Sequence, residues 1–184
     1  KYQNAAYGAR YRSLVDRVRA AESEKFSGAQ RLTEAVALYY AKLLAYKDEY
    51  EVARLYTDGE FTKKIAAMFE GDYQLNFNLA PPLFAKRDPA TGHLRKAAFG
   101  PWMFRAFQVL AKFKGLRGGA LDVFGYSAER RIERQLIADY EKLVGEIVAG
   151  LSSANYEQAV ALAQIPEQIR GFGHVKEKYL AEAK

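Results

Sequence analysis

The chain has 184 residues, of which 49% are hydrophobic and 14% aromatic, and its 28 basic and 22 acidic residues give a formal net charge of +6. A chain of this length can bury roughly 70% of the surface that its unfolded form exposes, which suffices for one hydrophobic core without metal ions or disulfides. The absence of cysteine excludes a disulfide framework, a cysteine nucleophile and thiolate ligands for zinc or iron–sulfur clusters. The sequence also has no run of about 18 apolar residues and no basic-then-apolar leader, so we expect a cytoplasmic protein that does not enter a membrane.

Two long amphipathic helices are expected in the first third of the chain. Apolar residues repeat at spacings of three and four, the period of one buried helical face. The first helix should end near Glu24, and the second should run from about Thr33 to Ala53 without a break. The residues on the two faces are Tyr7, Tyr11, Leu14, Val18 and Ala21 in the first helix, and Val36, Tyr40, Leu43, Tyr46 or Lys47, Tyr50 and Ala53 in the second.

A short helix and a β-hairpin are expected next. The third helix should cover about residues 59–69. Apolar and polar residues then alternate from residue 73 to residue 79, the period of a strand with one covered face. A turn-forming segment follows, after which residues 93–99 could return as the partner strand.

The fourth and fifth helices begin with clear signals. Pro101 opens the fourth helix at a position where a missing amide hydrogen is tolerated, and Ser127 caps the fifth, which should run to Gly150. The apolar face of the fifth helix consists of Ile132, Leu136, Tyr140, Leu143 and Ile147. In the fourth helix we expect most apolar residues to be buried, namely Trp102, Met103, Ala106, Phe107, Leu110 and Phe113.

The remaining segments are also predicted to be helical. A sixth helix should begin at Ser152 or Ser153 and be interrupted by Pro166, and a last short helix should begin at His174. Together these elements predict a mainly α fold, a multi-helix bundle with a small β-hairpin insertion at about residues 73–99.

The best candidate binding site is the glycine-rich turn that leads into the last helix. A helix N-terminus presents unpaired amides and a partial positive charge, and nearby basic side chains would add donors for a phosphate or a carboxylate. The candidate residues are Arg170, Gly171, Gly173, His174 and Lys176. Alternatively, these glycines only end one helix and begin the next, since the segment matches no phosphate-binding loop or dinucleotide fingerprint. A second glycine cluster, at residues 114–119, is open to the same two interpretations.

We expect no catalytic site and no metal site in this chain. His174 and Glu177 would share a helical face, but a metal site needs a third or fourth donor within reach. Neither histidine lies near a serine in a strand-turn-helix elbow, the arrangement that activates a nucleophilic hydroxyl. Because the basic residues are spread along the chain, nucleic acid is not an expected partner.

The second predicted helix carries both charged residues and many tyrosines. Glu51 and Arg54 have the spacing of an ordinary helix-surface ion pair, and we expect a solvated pair. The tyrosines occupy both sides of the helix, so we expect them to divide between the core and an interface with another domain or subunit. A pocket for an aromatic substrate is the alternative interpretation. These tyrosines are Tyr39, Tyr40, Tyr46, Tyr50 and Tyr56.

Several motifs along the chain look like a family signature. They are residues 45–61 (AYKDEYEVARLYTDGEF), 69–73 (FEGDY), 79–83 (LAPPL), 99–103 (FGPWM), 114–118 (KGLRG) and 166–176 (PEQIRGFGHVK). In these motifs the chain resembles the C-terminal region of the long, fused indolepyruvate ferredoxin oxidoreductases, members of the 2-oxoacid ferredoxin oxidoreductase family. The resemblance covers nearly the whole chain.

The resemblance implies a parent enzyme that oxidatively decarboxylates aryl-pyruvates to aryl-acetyl-CoA and reduces ferredoxin. It implies thiamine diphosphate with Mg²⁺, [4Fe–4S] clusters and coenzyme A as co-substrate, none of which we expect to bind within this segment. Because the chain begins with Lys1 and an amphipathic pattern starts within a few residues, we expect residues 1–184 to be a single C-terminal accessory domain excised from that longer enzyme.

The expected role of this segment is to pack on the other domains of the same polypeptide, in an enzyme that forms a homo-oligomer and uses ferredoxin as partner. The alternative is a binding module, in which the basic, glycine-rich turns hold the phosphates of coenzyme A or dock acidic ferredoxin.

Overall fold

The computed structural model describes residues 2–80 and 95–169. In these ranges the chain is mainly α-helical with one small antiparallel sheet, which confirms the predicted fold class. The helices are α1 Ala5–Lys25, α2 Arg31–Leu44, α3 Glu49–Thr57, α4 Glu60–Met68, α5 Trp102–Lys112, α6 Ala128–Gly150 and α7 Tyr156–Ala163; the strands are β1 Phe77–Leu79 and β2 Ala97–Phe99; and short 3₁₀ turns cover Phe113–Leu116 and Ile165–Glu167.

The chain divides into two compact units. The first is Lys1–Tyr46 with Tyr126–Lys184, of which residues 2–46 and 126–169 are described, and the second is Lys47–Gly125, of which residues 47–80 and 95–125 are described. The first unit therefore contains α1, α2, α6 and α7, and the second contains α3, α4, α5 and the hairpin. That residues 1–184 form one accessory domain stays a prediction.

The core of the first unit is built from one apolar face of each of its helices. Each large apolar side chain that leaves water contributes about 1.5–3 kcal/mol, so these faces fix how the helices pack. At the centre, the ring of Tyr40 stacks between Tyr11, at 5.9 Å, and Tyr140, at 6.1 Å between ring centroids. The main core residues are Leu14 and Val18 of α1, Leu32, Val36, Tyr40 and Leu43 of α2, Ile137, Tyr140, Val144 and Ile147 of α6, and Ala159, Val160 and Ala163 of α7.

The end of α1 at Lys25 and both ends of α6 lie close to where the sequence predicts them. Asn4 caps α1, its side-chain oxygen accepting a hydrogen bond of 2.8 Å from the amide of Tyr7. Ser127 caps α6 as predicted, accepting from the amide of Arg130 at 3.3 Å. In both cases the acceptor satisfies an amide that the helix itself leaves unpaired.

The expectation of one continuous helix from Thr33 to Ala53 is wrong. The helix stops at Leu44, and α3 begins only at Glu49. The hydroxyls of Tyr7 and Tyr2 donate to the carbonyl oxygens of Leu44 and Tyr46, at 2.9 and 2.7 Å. These bonds satisfy carbonyls that a continuous helix would have paired internally.

The N-cap of α3 is the second reason why the helix is interrupted after Leu44. Asp48 has extended backbone dihedrals, and its side chain accepts from the amide of Glu51 at 2.7 Å, which is the arrangement of an N-cap. The spacing of apolar residues could not predict this interruption, because apolar residues continue at helical spacing on both sides of it.

The core of the second unit is small and aromatic. Phe77 of β1, Phe107 of α5 and Ala53 of α3 are buried there, and Tyr56 stacks on Phe107 with 5.2 Å between ring centroids. The aligned ring faces join α3 to α5, because aromatic pairs at this separation add to the gain from area burial alone.

The predicted β-hairpin is confirmed, but it is shorter than expected. In its register Phe77 faces Phe99, and Leu79 faces Ala97. Tyr73, expected on the covered face, is 47% exposed, and only residues 77–79 of the alternating segment form a strand. The alternating pattern therefore extended beyond the part of the segment that packs on the core.

Two expectations for the later helices are also wrong. Trp102 of α5 and Phe113, which directly follows α5, were expected to be buried, yet they are 60% and 50% exposed. In α7, the helix begins at Tyr156 and not at residue 152 or 153, because Asn155 accepts from the amide of Ser152 and closes a turn first. The interruption at Pro166 is confirmed, whereas the helix predicted from His174 lies outside the described residues.

Candidate functional site

The predicted anion site falls outside the described residues. All five of its members, Arg170, Gly171, Gly173, His174 and Lys176, lie beyond residue 169, so that site stays a prediction. Among the described residues, no group of three or more histidine, cysteine, aspartate or glutamate side chains is placed to hold a metal ion.

In the second glycine cluster, residues 114–119, two backbone amides donate hydrogen bonds to acceptors of the chain itself, one of them a carboxylate. The amide of Gly118 donates to a carboxylate oxygen of Asp122 at 2.7 Å, and the amide of Gly119 donates to the carbonyl of Leu116 at 2.9 Å. Gly118 has a φ of +74°, a conformation that a residue with a side chain rarely adopts. Of the two interpretations of this cluster, the tight turn is therefore the one seen in the structure.

Next to this turn lies a buried ion pair. Arg117 donates from Nε and Nη2 to the two carboxylate oxygens of Asp48, the second contact being 2.8 Å, and the two side chains are 2% and 3% exposed. Asp48 is also the N-cap of α3, so the same carboxylate begins a helix and neutralises an arginine that is 69 residues away in the sequence. A bidentate pair of this kind fixes both partners in orientation as well as in distance.

Asp122 holds the loop from Gly118 to Gly125 closed. Besides Gly118, its carboxylate accepts from the amide of Gly125 at 3.0 Å and from the hydroxyl of Tyr50 at 3.2 Å. A Cβ atom at Gly125 would lie 2.5 Å from a carboxylate oxygen of Asp122, closer than real Cβ contacts allow. The loop is therefore packed tightly around a single buried side chain.

Tyr50 completes this group, and its ring faces Arg117. The guanidinium carbon of Arg117 lies 5.9 Å from the centre of the Tyr50 ring, within the range of a cation–π contact. Burial, together with the neighbouring carboxylate of Asp122, raises the pKa of Tyr50 to about 12. Tyr50 is therefore a neutral hydrogen-bond donor at physiological pH. We call Asp48, Tyr50, Arg117 and Asp122 the buried charge network; its groups bond to one another and to the backbone.

The surface of α5 has a different character. Val109 lies seven residues after Trp102, and Phe113, the C-cap residue of α5, lies four residues after Val109, so the three share one side of the helix. They are 60%, 56% and 50% exposed in the order Trp102, Val109, Phe113. Arg105 and Lys112 are exposed alongside them. We call these five residues the α5 stripe; it joins apolar side chains to two positive charges on a helix of the second unit.

The first unit contains a buried carboxylate that the sequence did not reveal. Glu22 of α1 is 1% exposed, and it accepts from the amides of Leu32 and Thr33, both at 2.9 Å, from the hydroxyl of Thr33 at 2.5 Å and from the hydroxyl of Tyr156 at 2.6 Å. Burial by itself would raise its pKa, but these hydrogen bonds outweigh burial and hold the pKa of Glu22 below its ordinary value. Glu22 thus caps the start of α2 from another helix.

A second carboxylate of the first unit is only partly exposed. Glu141 receives two hydrogen bonds from Arg10, at 2.7 and 2.9 Å, and a short one from the hydroxyl of Tyr40. Burial would raise the pKa of Glu141, but the bonds from Arg10 and Tyr40 lower it overall. Burial and the adjacent carboxylate raise the pKa of Tyr40, so its hydroxyl remains a donor.

The five tyrosines of the second predicted helix pack mainly against other residues of the chain. Tyr39, Tyr40, Tyr46 and Tyr50 are at most 9% exposed, and Tyr56 packs in the core of the second unit. This confirms that they belong to the core, and the further expectation that some of them form an interface stays a prediction.

The charged residues near the tyrosines are less solvated than expected. Arg54 pairs with Glu51 at 2.6 Å, as predicted, but the two side chains are only 19% and 13% exposed. Arg130 is buried as well, and its guanidinium carbon lies 5.7 Å from the centre of the Tyr46 ring.

The fold and these sites together define a mainly α protein in which buried charges fasten helices and loops and an apolar helix side is left exposed. The chain belongs to a family described as a family of unknown function, DUF6537, whose model matches residues 1–184. No curated protein and no solved structure matches the chain. None of the helices that the structure describes is both long enough and apolar enough to cross a membrane.

Proposed function

We propose that the chain is a non-catalytic helical domain of a cytoplasmic indolepyruvate (2-oxoacid) ferredoxin oxidoreductase and that it packs on the other domains of that enzyme. The observation that carries the proposal is the α5 stripe. Three large apolar side chains on one side of one helix are half exposed or more, and clustered exposed apolar side chains are typical of surfaces that meet another protein.

The buried charge network supports a structural role for the motifs on which the resemblance rests. Asp48, Tyr50 and Ala53 belong to the motif at residues 45–61, and Arg117 belongs to the motif at residues 114–118. The carboxylate of Asp48 and the guanidinium of Arg117 bond to each other, and the hydroxyl of Tyr50 donates to Asp122. Residues of the motifs that carry the resemblance thus hold helices and a loop together, which suits a domain that shapes an assembly.

The chemistry of the parent enzyme would be supplied by other parts of its polypeptide. Thiamine diphosphate with Mg²⁺ would stabilise the carbanion left by decarboxylation, [4Fe–4S] clusters would carry electrons to ferredoxin, and coenzyme A would accept the acyl group. Iron–sulfur clusters need cysteine thiolates, and the 184 residues contain none. The partners that we propose for this domain are therefore the catalytic domains of the same chain, within a homo-oligomer.

The test uses the natural polypeptide that carries this sequence, alongside the 184-residue chain alone. We expect the natural polypeptide to contain iron and thiamine diphosphate and to reduce ferredoxin when indolepyruvate and coenzyme A are both present. We expect the 184-residue chain, folded as judged by circular dichroism, to be inactive in the same assay. Turnover by the short chain, or a natural polypeptide without 2-oxoacid oxidation, would refute the proposal.

A further inference from the structure

We propose that the α5 stripe docks on a protein surface that is apolar at its centre and acidic at its rim. This inference rests on the proposed function, because it takes that surface to belong to another domain of the same polypeptide. It adds the residues that make the contact and the chemistry of the surface that they meet.

Two separate apolar faces on α5 give the first argument. The inner face packs into the core of the second unit through Met103, Phe107 and Leu110. A helix at the surface of a single folded unit normally has one apolar stripe, with polar residues on the other side. The outer side of α5 instead carries Trp102 and Val109, so it has the composition of a face that is covered in the assembled protein.

The kinds of residue in the stripe give the second argument. Tryptophan and arginine are the residues that most often contribute a large share of the binding free energy at protein interfaces. Trp102 is also held in place, since its ring meets the ring of Phe99 edge to face with 6.0 Å between centroids. A side chain that is already oriented loses less conformational freedom when a partner binds.

The positive charges of the α5 stripe indicate the chemistry of the surface on which it docks. Arg105 and Lys112 flank the apolar residues, and residues 102–121 contain no aspartate or glutamate. An acidic rim would therefore complement the stripe, because opposite charges around an apolar centre steer association and fix orientation.

Other occupants fit the stripe less well. Pairing of this stripe with the same stripe of a second copy would bring Arg105 and Lys112 close to their own equivalents, and like charges oppose association. A lipid surface is also disfavoured, since a helix that binds membranes directs its polar face to water, whereas the opposite face of α5 lies in the core.

Site-specific photocrosslinking in the natural polypeptide tests the inference. Val109 is replaced by p-benzoylphenylalanine, the protein is irradiated, and crosslinked peptides are identified by mass spectrometry. Lys64, an exposed residue of α4, receives the same group as a matched control in the same unit. We expect a crosslink from position 109 to an acidic, apolar-centred segment outside residues 1–184 of the same polypeptide, and a much weaker one from position 64.

Charge reversal checks the acidic rim. With Arg105→Glu and Lys112→Glu in the crosslinking variant, we expect the yield from position 109 to fall about fivefold or more, since the rims would then repel. Circular dichroism confirms folding of each variant, and a crosslinker at Phe113 replaces the one at Val109 if that variant does not fold.

Several outcomes would overturn the docking surface. They are equal yields from positions 64 and 109, a crosslink to residues 102–113 of a second copy, and an undiminished yield after charge reversal. A blue shift in the fluorescence emission of Trp102 when anionic phospholipid vesicles are added to the 184-residue chain would also overturn it; Trp102 is the only tryptophan of these residues. The two proposals fail separately: an active polypeptide without the crosslink loses only the docking surface, whereas a crosslinked polypeptide without 2-oxoacid oxidation loses the proposed function.

Discussion

Replacing Glu22 by glutamine should destabilise the protein much more than a single hydrogen-bonding group usually does. The carboxylate accepts four hydrogen bonds, two on each oxygen, and the side chain is 1% exposed. In the glutamine variant the amide oxygen can still accept from Leu32 and Tyr156, but the NH₂ group faces the amide of Thr33. That amide then has no acceptor.

The magnitude follows from these contacts. A buried amide without an acceptor costs about 1–3 kcal/mol, and the two remaining bonds lose the strength that an ionised acceptor gives, about 1 kcal/mol in total. We therefore expect Glu22→Gln to lower the free energy of unfolding by about 3 kcal/mol at neutral pH. Urea denaturation followed by far-ultraviolet circular dichroism measures this change, and Glu24→Gln, at an exposed position on the same helix, serves as the matched control.

The effect should also depend on pH in a defined direction. Because the pKa of Glu22 in the folded protein lies below its ordinary value of 4.5, its stabilising contribution is complete above that value and is lost as the pH falls through the folded pKa. The difference between the wild type and Glu22→Gln should thus shrink as the pH is lowered from about 7 to about 3. A difference below about 1 kcal/mol at neutral pH, or one that does not change with pH, would refute this explanation of α2 capping.

Three further substitutions test other parts of the structure. Arg117→Ala leaves the carboxylate of Asp48 buried without its cation, so we expect a loss of about 3–5 kcal/mol in urea denaturation followed by the fluorescence of the single tryptophan; a loss within about 1 kcal/mol would contradict the buried ion pair. Gly125→Ala forces the Asp122 carboxylate away from the loop, so we expect about 2 kcal/mol of destabilisation and faster hydrogen exchange at residues 118–125, and unchanged exchange would show that the loop tolerates a Cβ atom. Arg31→Ala removes an ion pair whose side chains are 60% and 72% exposed, so we expect a change of less than about 1 kcal/mol in thermal unfolding, and a larger one would show that exposure underestimates this pair.

Local signals in the sequence predicted several elements well. Ser127 marks the start of α6, and Pro101 immediately precedes α5. The alternating segment before Pro81 contains β1, although the strand is shorter than the pattern. At the two helix starts, the residue that sets the boundary acts on backbone groups within one turn of itself, so its effect can be predicted without knowledge of the rest of the fold.

The candidate sites depended on partners far away in the sequence. The carboxylate of Asp48 could be recognised as an N-cap, but not as the partner of Arg117, which lies 69 residues later. Glu22 resembles any other glutamate of an amphipathic helix, and only the position of α2 and Tyr156 around it shows that it is a buried acceptor. An apolar side chain in α5 likewise gives no local sign of whether it faces the core or the solvent.

By itself, the sequence determined that the protein is mainly helical, that a hairpin lies between the third and fourth predicted helices, which are α4 and α5 of the structure, and that no thiolate chemistry is available within its 184 residues. Only the tertiary structure decided that the second predicted helix is divided into α2 and α3, that Asp48 pairs with a distant arginine, and that Trp102 and Phe113 remain exposed. The physical reason is the separation in sequence over which each interaction acts. Helix periodicity and capping are set by neighbours within a turn, whereas burial and ion pairing depend on which distant surfaces meet, and a single apolar residue carries the same local signal on either side of a helix.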